Sequence, residues 1–314
     1  MAEHVSVMLE RCVALLAPAI SRNEKAVVVD ATLGLGGHTE ALLERFSNLL
    51  VIGIDRDLDA IEIAKSRLTV FGDRFKPFHA VYDEIQNCID SVGLKKVNGI
   101  LFDLGISSMQ VDESERGFSY SQDAPLDMRM DRSQGRTAAD YINFGSREEL
   151  VRILRQFGEE RFAPRIVDAI IRQRELAPMN STVQLAALVK EAIPAATRRT
   201  GGNPAKRTFQ ALRIAVNDEL GALTRAIPAS LDALAVGGRL VVMTFQSLED
   251  RIVKSYFVNA TASRTPRELP VEIPELAAKF AFIVKNSETP SEDELISNPR
   301  SSSSRLRAIE RVAA

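Results

Sequence analysis

The sequence predicts an α/β fold, a doubly wound Rossmann-like sheet of parallel strands with a small helical domain inserted into it. Three observations carry that expectation. Four apolar runs lack the alternation of half-exposed strands and so read as strands buried on both faces. Three of the four stop immediately before an aspartate, placing Asp30, Asp55 and Asp103 at strand ends. The chain between the third and fourth runs is far too long for a single crossover, so something is inserted there.

The first run is Ala26 to Val29, and the second is Leu49 to Ile54, with His38 to Phe46 reading as the helix between them. After the second, Leu58, Ile61, Ala64 and Leu68 recur at helical spacing and supply the next crossover. Gly99 to Phe102 is the third run. From about Asp140 to Ala195 the pattern is helical, with Leu150, Ile153, Leu154, Phe157, Ile166, Ala169 and Ile170 at three and four spacing. The chain returns through Phe209, Leu212, Val216, Leu220, Leu223 and Ile227, read as one sustained helix that restores the crossover into the fourth strand, Leu240 to Phe245. Phe280 to Val284 and Leu306 to Val312 are read as antiparallel strands closing the sheet. The Ser-, Pro- and acid-rich stretch Glu288 to Ser304 between them is expected to be loop-like and mobile. The domain bounds expected are 1–111 with 206–314 for the sheet, and 112–205 for the insertion.

Composition narrows the chemistry. In 314 residues, 45% hydrophobic, no run of about 18 apolar residues and no leader at Met1 is found, so a cytoplasmic protein is expected. Cys12 and Cys88 are too few for a disulfide framework or a zinc knuckle and read as packing residues. His4, His38 and His79 are scattered, so no metal is expected. The net charge of −2 argues against a uniformly basic surface, and any contact with nucleic acid must be local. One local concentration exists: Arg129 to Arg174 holds ten arginines against seven acids, and Arg198, Arg199, Lys206 and Arg207 follow. By composition alone these form an ordinary solvated helix face.

The turn Asp30 to His38 follows a strand and opens a helix, and its glycines let backbone approach a ligand. Gly34 and Gly36 fit the dinucleotide fingerprint, but Thr39 stands at its third glycine. A carboxylate at Asp30 suits the cationic amino-acid part of S-adenosylmethionine better than a pyrophosphate. Asp55 can accept both hydroxyl hydrogens of an adenosine ribose, and Asp103 lies close to where a sulfonium would sit. Taken singly, each acid reads as a cap or turn former; three successive strand ends favour a site. Arg56 and Asp57 read as surface residues, and His38 as a hydrogen-bonding residue at a helix start.

These residues resemble a known family, the MraW/RsmH methyltransferases. The likeness is carried by Asp30 to His38, Gly53 to Asp57, Asp103 to Gln110, Arg116 to Ser119, Pro125 to Met130, Gly158 to Arg161, Thr208 to Arg213, Ser247 to Arg251 and Asn298 to Arg300. It covers nearly the whole chain. It implies a class I methyltransferase sheet, S-adenosylmethionine as cofactor, and N4-methylation of a cytidine in the decoding region of small-subunit (16S) ribosomal RNA, within an assembling or assembled small subunit. It also implies cofactor contacts at Gly36, Gly37, His38, Asp55, Tyr82, Asp103 and Gln110, to which the residue pattern adds Asp30. Tyr82 would stack on adenine or pack in the core. Asp103, with the Ser107 and Ser108 hydroxyls, is expected to accept a hydrogen bond from the target amine. The target base must leave its stack, and the inserted helices would hold the RNA through Arg129, Arg161, Arg165, Arg199 and Arg207, each of which can instead pair with a nearby acid.

The chain departs from the family pattern at Ser6, which stands for a proline, at Gln246, which stands for a histidine and so excludes a histidine base there, and at Ser301 to Ser304, which replace a basic run. Other readings remain open: a DNA or small-molecule methyltransferase, or a ribosome-assembly factor that binds S-adenosylmethionine without catalysis. A homodimer is also left open.

Overall fold

The computed structural model describes residues 6–194, 203–266, 271 and 273–314, apart from the Ser108 side chain. Its described residues form two compact units, residues 1–105 with 220–314, and residues 106–219.

The first unit begins with α1 (Leu9–Ser21), β1 (Ala26–Asp30), α2 (Gly37–Arg45), β2 (Leu49–Asp55), α3 (Leu58–Leu68), β3 (Phe75–His79), α4 (Ile85–Ser91) and β4 (Val97–Asp103). The second holds α5 (Ser108–Asp112), α6 (Ala138–Phe144), α7 (Arg147–Gly158), α8 (Ala163–Leu176), α9 (Thr182–Ala192) and α10 (Lys206–Asn217). The chain then completes the first unit with α11 (Glu219–Ala233), β5 (Leu234–Thr244), α12 (Ser247–Ala260), β6 (Phe280–Glu288), α13 (Glu292–Ser297) and β7 (Arg305–Arg311).

The strands form one seven-stranded sheet in the order β3-β2-β1-β4-β5-β7-β6. The first five pair in parallel, and β7 runs antiparallel to both of its neighbours. Adjacent residues face opposite sides, and both sides are apolar. Val28, Val51, Leu101 and Val241 pack towards Leu16, Leu42 and Ile61, while Val29, Ile52, Ile100 and Val242 pack towards Ile89, Ile227 and Phe257. Helices cover both faces, which is why these strands read as unbroken apolar runs. This is the doubly wound, Rossmann-like sheet that the sequence predicts, and β7 is the antiparallel strand expected near its end.

Several expectations need correction. The edge strand β3 was not foreseen, because Phe-Lys-Pro-Phe-His has neither an apolar run nor a clean alternation, and only Phe75 of its side chains is buried. Pro77 is tolerated there because the strand has one free edge. Asp30, Asp55 and Asp103 therefore end β1, β2 and β4 rather than three successive strands. The return helix is two helices, since Asp218 adopts φ 47° between α10 and α11 and donates its N–H to Ile214 O. α10, expected within the sheet domain from residue 206, belongs to the helical unit, where it packs against α7. The stretch from Glu288 to Ser304 is no open loop: β6 runs through Glu288, the Ser291 hydroxyl caps α13, and Ser301 and Ser304 are buried.

In the helical unit, Leu126, Met128, Ile142, Leu150, Ile153, Ile166, Ile170, Leu185, Phe209 and Leu212 form a separate core. Among the described residues no helix is long and apolar enough to cross a membrane.

Candidate active site

Strand order turns the three aspartates into neighbours. The unforeseen β3 lies outside β2, so β2, β1 and β4 stand side by side, and Asp55, Asp30 and Asp103 line one stretch of the carboxyl edge. Open α/β sheets bind ligands at that edge.

The chain leaves β1 through a turn that continues the sheet's hydrogen bonding: Ala31 N–H bonds Leu101 O at 2.9 Å and Leu33 N–H bonds Ile54 O at 2.9 Å. Gly36 then takes φ 82° as the residue capping α2, a left-handed conformation that a side chain would strain. Asp30 is buried, and its carboxylate accepts from the Thr39 hydroxyl at 2.7 Å and from Thr32 N–H at 3.4 Å. Thr39, the residue that breaks the dinucleotide fingerprint, is thus the clamp that fixes Asp30 to the first turn of α2. Burial pushes the Asp30 carboxyl up to about 6 in spite of these two hydrogen bonds, and Asp55 adds to the rise.

Asp55 accepts from Gly34 N–H at 2.7 Å and from Asp57 N–H at 2.9 Å, one on each oxygen. Burial raises its carboxyl, and those backbone donors hold its plane fixed. Asp57, expected at the surface, is buried and caps α3 through Asp59 N–H.

Asp103 is the least satisfied of the three. Its backbone N–H bonds the Thr32 hydroxyl at 2.6 Å, yet its buried Oδ1 has no hydrogen-bond partner among the described residues. Its Oδ2 lies 3.8 Å from His38 Nδ1. The buried His38 ring meets Val7 O through Nε2 at 3.1 Å. A carbonyl can only accept, so Nε2 carries a hydrogen and Nδ1 is the nitrogen turned to Asp103. Burial first, then the negative charges of Asp30, Glu249 and Glu294, push the Asp103 carboxyl up to about 8. Such an edge favours a cation.

Glu249 reaches the edge from the Ser247 to Arg251 motif. It is buried, receives Phe245 N–H at 2.8 Å and the Gln246 side-chain amide at 2.9 Å, and so closes the start of α12. Sequence reasoning missed Thr32, Thr39 and Glu249 as members of the site; the available signals were that Thr32 sits inside the glycine turn, that Thr39 directly follows it, and that Glu249 lies in the Ser247 to Arg251 motif. Tyr82 follows β3 in a short 3-10 turn and sets its ring edge-on to Phe102, centroids 5.6 Å apart, which is a core contact. Gly37 is the first residue of α2.

The remaining expected residues lie in the helical unit. Ser107 accepts from Gln110 N–H at 3.2 Å, and the buried Gln110 side chain accepts from Ser107 N–H at 3.2 Å, a reciprocal cap on α5. Residues of the Pro125 to Met130, Thr208 to Arg213 and Arg116 to Ser119 motifs meet in a hub here around Asn217. The Asn217 side chain receives Met130 N–H at 2.8 Å and donates to Met128 O at 2.7 Å and Arg213 O at 2.9 Å. Arg116, wholly buried, donates to Met130 O at 3.2 Å. Gly117, at φ +73°, lies so close to Pro125 that a Cβ would fall 2.2 Å from its carbonyl oxygen.

Among the candidate RNA arginines, Arg129 is committed to the protein, donating to both oxygens of Asp127 at 2.7 and 3.0 Å. Those bonds outweigh burial and hold the Asp127 carboxyl below its ordinary range. Arg207 is exposed but donates to Glu159 O at 3.1 Å, and the exposed Arg161 lies 5.2 Å over the Phe162 ring. Arg165 is exposed with no carboxylate partner among the described residues. Arg199 lies outside the described residues.

A model of the MraW methylase family matches residues 1–312. The protein named Ribosomal RNA small subunit methyltransferase H from Renibacterium salmoninarum is 53% identical over 313 residues, spanning 98% of this chain and 95% of its own. Its namesake from Saccharopolyspora erythraea is 55% identical over 309 residues, spanning 98% of this chain and 93% of its own.

Proposed function

The chain belongs to the MraW methylase family, and from that premise we propose that it methylates the N4 amine of a cytidine in the decoding region of 16S ribosomal RNA, using S-adenosylmethionine in the bacterial cytoplasm. The observation that carries this reading is the row of Asp55, Asp30 and Asp103 on adjacent strand ends beside the Gly34–Gly36 turn. The residues fit such a cofactor. Asp55, its plane set by backbone donors, accepts the ribose hydroxyls. Asp103, with an unpartnered buried oxygen, faces the region where a positive charge is most favoured. The remaining cofactor contacts proposed are Gly36, Gly37 and His38 at the turn into α2, Tyr82 after β3, and Gln110.

When bound, the cofactor supplies a methyl group on a sulfonium, open to in-line displacement. A cytosine amine is a weak nucleophile because its lone pair is delocalised into the ring, so the protein must orient it and draw off a proton. Orientation of two reactants can lower a barrier by roughly 7 to 11 kcal/mol. Asp103 Oδ1 accepts the amine hydrogen bond, and its raised affinity for protons makes it a better acceptor than an ordinary aspartate. Ser107, whose hydroxyl accepts from Gln110 N–H, is a further proposed acceptor, while the Ser108 side chain lies outside the described residues. Arg161, Arg165, Arg199 and Arg207 contact RNA phosphates, whereas Arg129 is withdrawn from that role by Asp127.

Two measurements test this reading. Calorimetry should detect binding of S-adenosylmethionine and of its demethylated product. Mass spectrometry of ribosomal RNA from cells lacking the protein should find one cytidine methyl missing. Label transfer to DNA but not to subunits would move the acceptor, and subunit binding with no label transfer would leave an assembly factor.

A further inference from the structure

The carboxyl edge of the sheet carries acids at one end, and the other end carries cations in a cavity. The pairing register places Asp103 beside Met243 of β5, Met243 beside Leu306 of β7, and Arg305 one residue beyond that row. The end of β6 pairs with the start of β7, so Ser287 and Arg305 stand at the same edge as the aspartates. Here a cavity of about 340 Å³ is lined by Lys254, Lys285, Ser287, Arg305, Arg307 and Asp250, among others.

These cations differ in kind. Arg307 is buried and donates to both oxygens of Asp250 at 2.7 and 3.1 Å, so its charge is neutralised and the cavity wall is fixed. Lys254, one helical turn beyond Asp250 on α12, Lys285 and Arg305 are exposed and have no carboxylate partner among the described residues. Arg305 is oriented by the Ser287 hydroxyl at 3.2 Å. Three unneutralised cations around one cavity, on a chain whose net charge is −2, form a local anion site rather than a share of a general positive surface.

We propose that the Lys254, Lys285 and Arg305 cavity docks the phosphodiester backbone of the acceptor RNA strand. The inference rests on the RNA reading above and adds to it a docking surface on the sheet unit, beyond the inserted helices. β6 lies three strand spacings from β4, roughly 14 Å away, a span that a short single-stranded segment can cross. The edge thereby separates its tasks: acids at β2, β1 and β4 receive a cationic methyl donor, and cations at β7 and β6 receive a polyanion. Arg305 begins β7 immediately after the serine run Ser301 to Ser304.

The test compares wild type with a Lys254→Gln, Lys285→Gln, Arg305→Gln triple variant. Binding to a single-stranded RNA oligonucleotide is measured across a salt series, and methyl transfer is measured on small ribosomal subunits. Neutralising three phosphate contacts should lower the slope of log affinity against log salt by about 2. It should also raise KM for subunits on the order of tenfold, with S-adenosylmethionine affinity unchanged as evidence of an intact fold. A charge-keeping variant, Lys254→Arg, Lys285→Arg, Arg305→Lys, should retain the wild-type slope. An unchanged slope and KM in the glutamine variant, or a lost slope in the charge-keeping one, would overturn the proposal. If wild type transfers no methyl to subunits while the slope still falls in the triple variant, the acceptor reading fails and the docking surface stands.

Discussion

The carboxyl edge of the sheet and the Arg116–Asn217 hub of the helical unit are both dense in motif residues, but they treat their polar groups in opposite ways. In the hub, Asn217 makes three hydrogen bonds to backbone and Arg129 saturates Asp127. At the edge, Asp103 keeps a buried oxygen without a partner among the described residues and sits among other acids. Satisfied polar groups fix a shape; an unsatisfied buried carboxylate raises the energy of the empty site and is relieved by a ligand of opposite charge. A motif's specificity to a family therefore does not reveal whether its residues react or hold the fold. Their hydrogen-bond accounts do.

The largest effect that would break this contrast is at Asp103. Asp103→Asn should lower methyl transfer to subunits by at least about a hundredfold, the size of a lost general base, while a thermal melt at pH 8 should show the fold equally or more stable. Loss of stability together with activity would make Asp103 a structural residue like those of the hub. The hub should show the reverse. Asn217→Ala leaves buried Met128 and Met130 backbone groups unpaired and should cost about 2 to 3 kcal/mol in denaturant unfolding, with S-adenosylmethionine affinity unchanged below the transition.

The edge should also respond to pH near 8, whereas the depressed Asp127 carboxyl makes the hub lose stability only as pH falls into the acid range. The Asp103 carboxyl titrates near 8 in the ligand-free protein, above its unfolded value, so its contribution to stability is fully present below the unfolded value and is lost as pH rises through about 8. A sulfonium requires the ionised form. Affinity for S-adenosylmethionine should accordingly rise roughly tenfold between pH 7 and 9 and level off, and calorimetry on Asp103→Asn should find that rise abolished. The uncharged demethylated product should respond less. A flat profile in wild type would separate Asp103 from the donor's charge. The smallest effect concerns the exposed arginines: Arg165→Gln should reduce the salt dependence of RNA binding by about 0.7, and Arg129→Gln should leave that slope alone while lowering stability.

Much of the site was legible along the chain because strand ends announce themselves. An apolar run buried on both faces has to stop where polarity returns, and Asp30, Asp55 and Asp103 mark those stops. The helical insertion was legible from its apolar spacing. The break at Asp218 was not, because an apolar stripe continues across a single left-handed residue. Nor was β3, whose half-exposed edge position asks little of its sequence. The order of α13 was hidden in the same way, since its polar residues are held by long-range contacts such as Met8 N–H to Glu294.

What the sequence by itself determined is the class of fold, the carboxylates at strand ends, the glycine turn and the family. Periodicity, turn chemistry and motif spacing are local properties that can be read residue by residue. Only the tertiary structure decided that β2, β1 and β4 are neighbours, that Thr39 and Thr32 clamp Asp30 and Asp103, that Arg129 is tied to Asp127, and that Lys254, Lys285 and Arg305 share one cavity. Those outcomes depend on strand order and burial, which join residues far apart in the chain and set how strongly each charge is felt.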